Sequence, residues 1–344
     1  MADADLLSDP FGEHERLHAR EPIALLGARV RFESNDRRLL KLADDAFAGL
    51  PQHRLQPAHK RSAALELRIV LRLTAKTRRW PRSEPPPTIM QSGAGLLAGA
   101  PATSSFVTLS PASCSALVVI AEPMLRFPYQ TRYELIEFAV YALAARAQGL
   151  AALHAACVGK NGRGVLLMGP SGSGKSTVAL HCLLRGLDFL SEDAVFVQPT
   201  TLRATGAANF LHVRSDSLHW LGRTRAAAAI RRSPVIRRRS GVRKFEVDLR
   251  RGGFELARAP LELVSTVFLS PRPARGRPLL TPLPRRDLHA RLETAQAYAA
   301  GQPEWLAFRR GIAALGAFEL CRGSDPNESV DALEQLLNAA KPAR

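Results

Sequence analysis

Hydrophobic and polar positions divide the chain into two stretches of different rhythm. From Pro22 the run Ile23-Ala-Leu-Leu-Gly-Ala-Arg-Val-Arg-Phe32 is predicted as a strand. Between Arg37 and Leu50, Leu39, Leu40, Leu42, Ala43 and Phe47 recur at helical spacing, and Ala64 to Leu73 alternates as a second strand. Lys76 to Pro87 is basic and Pro-rich and predicts a loop, since proline cannot donate to a sheet ladder. Phe106 to Leu109 and Cys114 to Ile120 follow as strands. Tyr129 to Ala145 then carries Leu135, Phe138, Ala139, Ala142 and Leu143 on one side of a helix. The pattern predicts an α+β N-terminal domain over 23–149, with the polar, aperiodic residues 1–22 as a flexible arm.

The rest of the chain, 150–344, predicts an α/β domain. Two apolar runs, Leu153 to Val158 and Gly164 to Met168, flank Gly159 to Arg163 and read as a hairpin; Thr177 to Arg185 reads as a helix. Asp188 to Leu190 and Ala194 to Val197 are strand-like around Ser191-Glu192-Asp193. Asn209 to Val213, Lys244 to Leu249 and Leu261 to Leu269 add strands to what is expected to be one mixed sheet. Helices are predicted over 286–300, 304–314 and 329–340, the last with Asn327 as a candidate N-cap.

Composition narrows the partners. No run reaches the roughly 18 consecutive apolar residues of a membrane helix, and the start lacks the apolar centre of a signal peptide, so no membrane partner and a cytoplasmic location are expected. Cys114, Cys157, Cys182 and Cys321 form no CxxC pair and are expected as free, buried small apolar residues. The net charge of +17 arises from 41 Arg and 7 Lys, an imbalance that a GC-rich coding sequence produces without selection for binding. The basic residues are densest from Arg223 to Arg251, where the only acids are Glu246 and Asp248. That segment reads as a solvated loop, a docking patch for an acidic partner, or part of a phosphate site. Its lack of stacking aromatics disfavours nucleic acid. A second copy of the chain stays open as a partner.

The candidate chemistry lies between the hairpin and the next helix. Gly169-Pro170-Ser171-Gly172-Ser173-Gly174-Lys175-Ser176 fits the phosphate-loop pattern GxxxxGK[ST], with a strand before it and a helix, opening at Thr177, behind it. Residues 169–177 are the expected nucleotide-binding stretch. Its glycines let backbone N–H groups converge on phosphate, Lys175 reaches the terminal phosphates, and the Ser176 hydroxyl suits magnesium. Glu192 and Asp193 follow Lys175 by 17 and 18 residues, the distance needed to descend one helix and return along a strand to the mouth of the loop. One carboxylate can hold magnesium while the other accepts a proton from a substrate hydroxyl. Arg243 and Lys244 are candidates for a further cation on the transferring phosphate.

His154, fifteen residues before Gly169, together with this loop and Glu192-Asp193, resembles the catalytic domain of the HPr kinase/phosphorylase family, including the related serine kinases of bacterial peptide-modifying gene clusters. The likeness covers about 150–270. It implies a P-loop kinase fold similar to that of phosphoenolpyruvate carboxykinase, using ATP or another nucleoside triphosphate and Mg2+ to phosphorylate a serine of a peptide or small protein. By that likeness Lys175 and Ser176 hold phosphate and metal, Asp193 is the metal-associated carboxylate, Glu192 the general base and His154 a histidine beside the phosphates.

Four departures stand out. Thr177 replaces the family's acidic residue after the loop serine, Glu192 its Asp, and Ala155 its Gly. Nothing in Gly206 to Gly222 resembles the second signature of the bifunctional enzymes, so phosphorylase activity has no sequence support. A non-catalytic or slowly hydrolysing nucleotide-binding regulator and a small-molecule kinase are the alternative readings.

Overall fold

The computed structural model describes residues 16–55, 65–74, 88–93, 96–101 and 104–339. Most of the expected arm and the predicted loop 76–87 lie outside the described residues. The chain is mixed α/β with mixed sheets. It forms two compact units; the second contains, besides 148–339, the described residues 24–27 and 49–55.

In the first unit, β1 (His18–Ala19), β3 (Ala28–Ser34), β4 (Glu66–Thr74), β8 (Ser115–Ala121), β7 (Phe106–Ser110), β6 (Leu96–Pro101) and β5 (Thr88–Gly93) lie in that order; β2 (Ile23–Leu25) leads into β3. The pairs β3–β4 and β4–β8 are parallel, and β8 to β5 is antiparallel. The predicted arm therefore needs correcting at its end: His18 and Ala19 pair with Ser34 and Glu33 instead of hanging loose. The single strand expected over 23–32 is two, because Leu26 and Gly27 take positive φ and reverse the chain. Along β4, Leu67, Ile69 and Leu71 are buried by period two, and helix Arg37–Phe47 covers that face. Its N-terminus is capped by Asp36, whose side chain accepts from Arg38 N. The predicted second helix is interrupted by a π-helical stretch, Thr131–Glu137, where Arg132 and Glu137 are buried together at 3.5 Å.

The second unit is built on a sheet in the order β12 (Asp188–Ser191), β10 (Ala156–Lys160), β11 (Arg163–Met168), β18 (Leu261–Pro273), β14 (Arg203–Gly206), β13 (Val195–Val197) and β9 (Ala151–Leu153). Beyond Thr266, β18 also pairs in parallel with β20 (Ala317–Arg322), which pairs with β19 (Leu280–Pro282). The β10–β11 hairpin turns through Asn161 and Gly162, both at positive φ as a two-residue turn requires. Val165 and Leu167 point into one core with helices Lys175–Leu184 and Pro326–Ala339; Leu166 and Met168 point into the opposite core with Trp305 and Phe308. Helices thus cover both faces.

Several expectations change here. The apolar run Leu153 to Val158 is broken at His154 and Ala155, so β9 and β10 lie on distant strands of the sheet. Asn209 to Val213 and Lys244 to Leu249 do not join the large sheet. They supply β15 (Phe210–Val213) and β17 (Arg243–Asp248) of a separate antiparallel sheet, β15–β17–β16, with β16 at Val235–Arg237. The basic segment is therefore ordered as helix Arg225–Arg232 and two strands, not a loop. Asp325, not Asn327, caps the last helix: its carboxylate accepts from Asn327 N at 2.7 Å. Cys157 and Cys182 are buried as expected, but Cys114 and Cys321 are only half-buried; all four are free thiols. No helix among the described residues is long and apolar enough to cross a membrane.

Candidate functional site

The loop follows the carboxyl end of β11, beside its longer parallel neighbour β18; open α/β sheets bind ligands at the carboxyl ends of their strands. Met168 ends β11, and Gly169, Gly172 and Gly174 take φ of +148°, +83° and +100° before helix Lys175–Leu184 begins. Gly169 is also sterically fixed: a Cβ there would lie 2.8 Å from Ser173 Oγ and 3.0 Å from the Leu269 carbonyl oxygen. Lys175 folds back over the loop and donates from Nζ to Gly169 O at 2.6 Å and Pro170 O at 3.3 Å. Burial lowers the Lys175 pKa and the charge of Lys244 acts the same way, opposed by Asp193 and Glu192. Ser173 Oγ is buried with no hydrogen-bond partner, a hydroxyl turned inward in a loop of this kind.

The short connection between β12 and β13 delivers the two carboxylates to different neighbours. Ser176 Oγ donates to Glu192 Oε1 at 2.5 Å, while Glu192 Oε2 accepts from His212 N at 2.7 Å and lies 3.2 Å from His212 Nδ1. The other ring nitrogen of His212 is 3.3 Å from Glu246 Oε1. Burial alone would raise the Glu192 pKa, but the hydrogen bonds and charge of His212, with the Ser176 hydroxyl, outweigh it and hold the carboxylate below its ordinary value. Burial likewise opposes the charged form of His212, and the two glutamates overcome it, so its pKa is raised.

Asp193 turns the other way. Its Oδ1 is 2.9 Å from His154 Nδ1 and its Oδ2 is 3.7 Å from Arg238 Nη2. His154, in the break between β9 and β10, is fixed through its backbone: its N–H donates to Gln296 Oε1 at 2.7 Å and its C=O accepts from Gln296 Nε2 at 2.9 Å. Thr177 Oγ1 is 3.0 Å from Ser217 Oγ.

The structure therefore brings His154, Lys175, Ser176, Glu192 and Asp193 around the loop 169–176. Sequence reasoning missed three residues. Gln296 is one unremarked amide 142 positions from the backbone it holds. His212 lies in the stretch set aside for lacking a family signature, and Arg238 was one basic residue among many. The small sheet links two of them, His212 and Arg238: His212 stands opposite Glu246, Ile236 stands opposite Lys244, and residues two apart share a face. By the same rule Lys244 shares the face of Glu246, whereas Arg243 lies on the opposite face with Phe245 and Val247.

The donors beside the loop, the Ser176 hydroxyl and the Glu192 carboxylate bonded to it, are hard oxygen ligands. Among the described residues no group of three or more His, Cys, Asp or Glu side chains is arranged to hold a metal ion. That donor set fits Mg2+ shared with phosphate oxygens and water better than a metal held by protein alone. The sequence matches no protein-family model and no curated protein.

Proposed function

We propose that the chain is an ATP- and Mg2+-dependent kinase of the HPr kinase-like type that phosphorylates a serine hydroxyl of a peptide or small protein. The observation that carries this reading is the division of labour between adjacent carboxylates: Glu192 is bonded to the loop serine, and Asp193 faces His154. A phosphate loop alone supports nucleotide binding; a second carboxylate beside it, not engaged by the loop, is what transfer to a hydroxyl adds.

In this account the backbone N–H groups of 169–176 and Lys175 hold the triphosphate, and Ser176 with Glu192 forms the metal side. Magnesium, when bound, neutralises charge on the terminal phosphates. The serine oxygen attacks the γ-phosphorus, the bond from that phosphorus to the β–γ bridging oxygen breaks, and ADP leaves. Asp193, steadied by His154 and Arg238, accepts the serine proton. This reverses the roles implied by family resemblance, because Glu192 is buried and saturated by Ser176 and His212 and is badly placed to meet a hydroxyl from solvent.

Incubating the protein with ATP, Mg2+ and pooled serine peptides, followed by mass analysis, tests the reading: a phosphate on a serine supports it. Nucleotide binding with no transfer to any hydroxyl would favour the regulator instead, a reading that the contacts of Asp193 with both His154 and Arg238 also suit.

A further inference from the structure

We propose that Lys244 is a catalytic residue that binds the γ-phosphate of the nucleoside triphosphate, a second cation brought to the loop by the small sheet β15–β17–β16. The proposal rests on the nucleotide-binding part of the reading above and does not require the acceptor to be known.

Register carries the first step. His212 on β15 stands opposite Glu246 on β17, and Ile236 on β16 stands opposite Lys244. Opposite residues, and residues two apart, share a face, so His212, Glu246, Lys244, Ile236 and, just past the end of β16, Arg238 project from one side. Two contacts identify the surroundings of that side: His212 touches Glu192, and Arg238 lies 3.7 Å from Asp193. Lys244 is thus bracketed by residues that reach both carboxylates of the site. Two residues of strand span about 7 Å, within the reach of a lysine stem.

Charge carries the second step. The nearby acids are committed elsewhere: Glu246 to His212, Asp193 to His154 and Arg238. Lys244 itself is half-buried, and among the described residues its side chain has no hydrogen-bond or ion-pair partner. A half-buried ammonium without a partner is unfavourable, and Lys175 Nζ for its part donates, among the described residues, only to the loop carbonyl oxygens of Gly169 and Pro170. An anion held between Lys175 and Lys244 gives both a charged partner. The terminal phosphoryl group fits, because its charge is spread over three oxygens and Lys175 addresses it from the loop side alone.

Calorimetry with Mg2+ and either ADP or a non-hydrolysable ATP analogue, on wild type, Lys244→Gln and Lys244→Arg, tests the assignment. Lys244→Gln is expected to weaken the triphosphate analogue about 10- to 100-fold, the worth of a charged hydrogen bond, while leaving ADP unchanged. Lys244→Arg is expected to restore most of the loss. Equal weakening of both nucleotides, or of neither, overturns the proposal, as does an effect confined to the KM of an acceptor peptide. Lys244→Met serves as a second neutral variant if thermal unfolding shows that the Gln variant is misfolded. A wild type that binds both nucleotides but never transfers phosphate defeats the kinase reading while the triphosphate-to-diphosphate difference still decides Lys244; a wild type that binds neither defeats both.

Discussion

Ser176 donates its hydroxyl to Glu192 Oε1 at 2.5 Å, tying the last residue of the glycine-rich loop 169–176 to a carboxylate 16 positions later. The bond closes the path from loop to helix to returning strand. It also splits the acidic pair, since the neighbouring Asp193 is turned to His154.

The two carboxylates should therefore fail differently. Glu192→Gln is expected to raise the Mg2+ concentration needed for nucleotide binding. Asp193→Asn is expected to leave binding near normal and lower phosphate transfer about 10²- to 10⁴-fold, the usual share of a general base. Binding titrations across Mg2+ concentrations, run beside transfer assays, separate the two. Identical phenotypes would remove the division of roles.

Gly169→Ala tests the loop geometry. With φ of +148° and only 2.8 Å between the new Cβ and Ser173 Oγ, alanine must push the loop open. A stability loss of about 1–3 kcal/mol is expected by denaturant unfolding, with nucleotide binding lost as well. Normal nucleotide affinity in this variant would show that the loop does not cradle phosphate in this conformation.

Gln296→Ala removes both hydrogen bonds that hold the His154 backbone. Because Gln296 is only 2% exposed, its partners have little access to replacement water, and a loss of about 1–3 kcal/mol is expected. Transfer should fall further than nucleotide binding, since His154 is the support of Asp193. An unchanged transfer rate would separate His154 from the chemistry.

The His212–Glu192 pair gives stability a defined pH window. His212 has its pKa raised above the ordinary 6.5, so its contribution is complete below 6.5 and is lost as pH climbs through the folded value. Glu192 has its pKa lowered from 4.5, so its contribution is complete above 4.5 and is lost as pH falls through the folded value. The pair thus stabilises most between about 4.5 and 6.5. Arg238 opposes and Glu246 supports the charged histidine. Denaturant unfolding across pH is expected to show both limbs, and His212→Asn is expected to flatten the upper one. Retention of the upper limb in that variant would assign it to another group.

Local signals in the sequence carried much of the second unit: glycine spacing, a strand before the loop, and an acidic pair at the right distance. They located the residues that meet around Ser176. Distant pairings were not legible. Nothing in the run Leu153 to Val158 marks that His154 and Ala155 send β9 and β10 to separate parts of the sheet, because a buried strand and a broken one are equally apolar. The hold of Gln296 on His154 depends on two ordinary residues meeting across the fold. Nor could the spacing of Glu192 and Asp193 show that they part company, since adjacent residues in a turn face different neighbours and only the contacts with Ser176, His212 and His154 reveal which is which.

The most direct test of the central claim is transfer from γ-labelled ATP to serine peptides in the presence of Mg2+, comparing wild type with Lys175→Ala. The account expects label on phosphoserine with wild type and none with Lys175→Ala, because the ammonium that holds the terminal phosphates is gone. Label recovered only as free phosphate, or equal phosphoserine from both proteins, would contradict it.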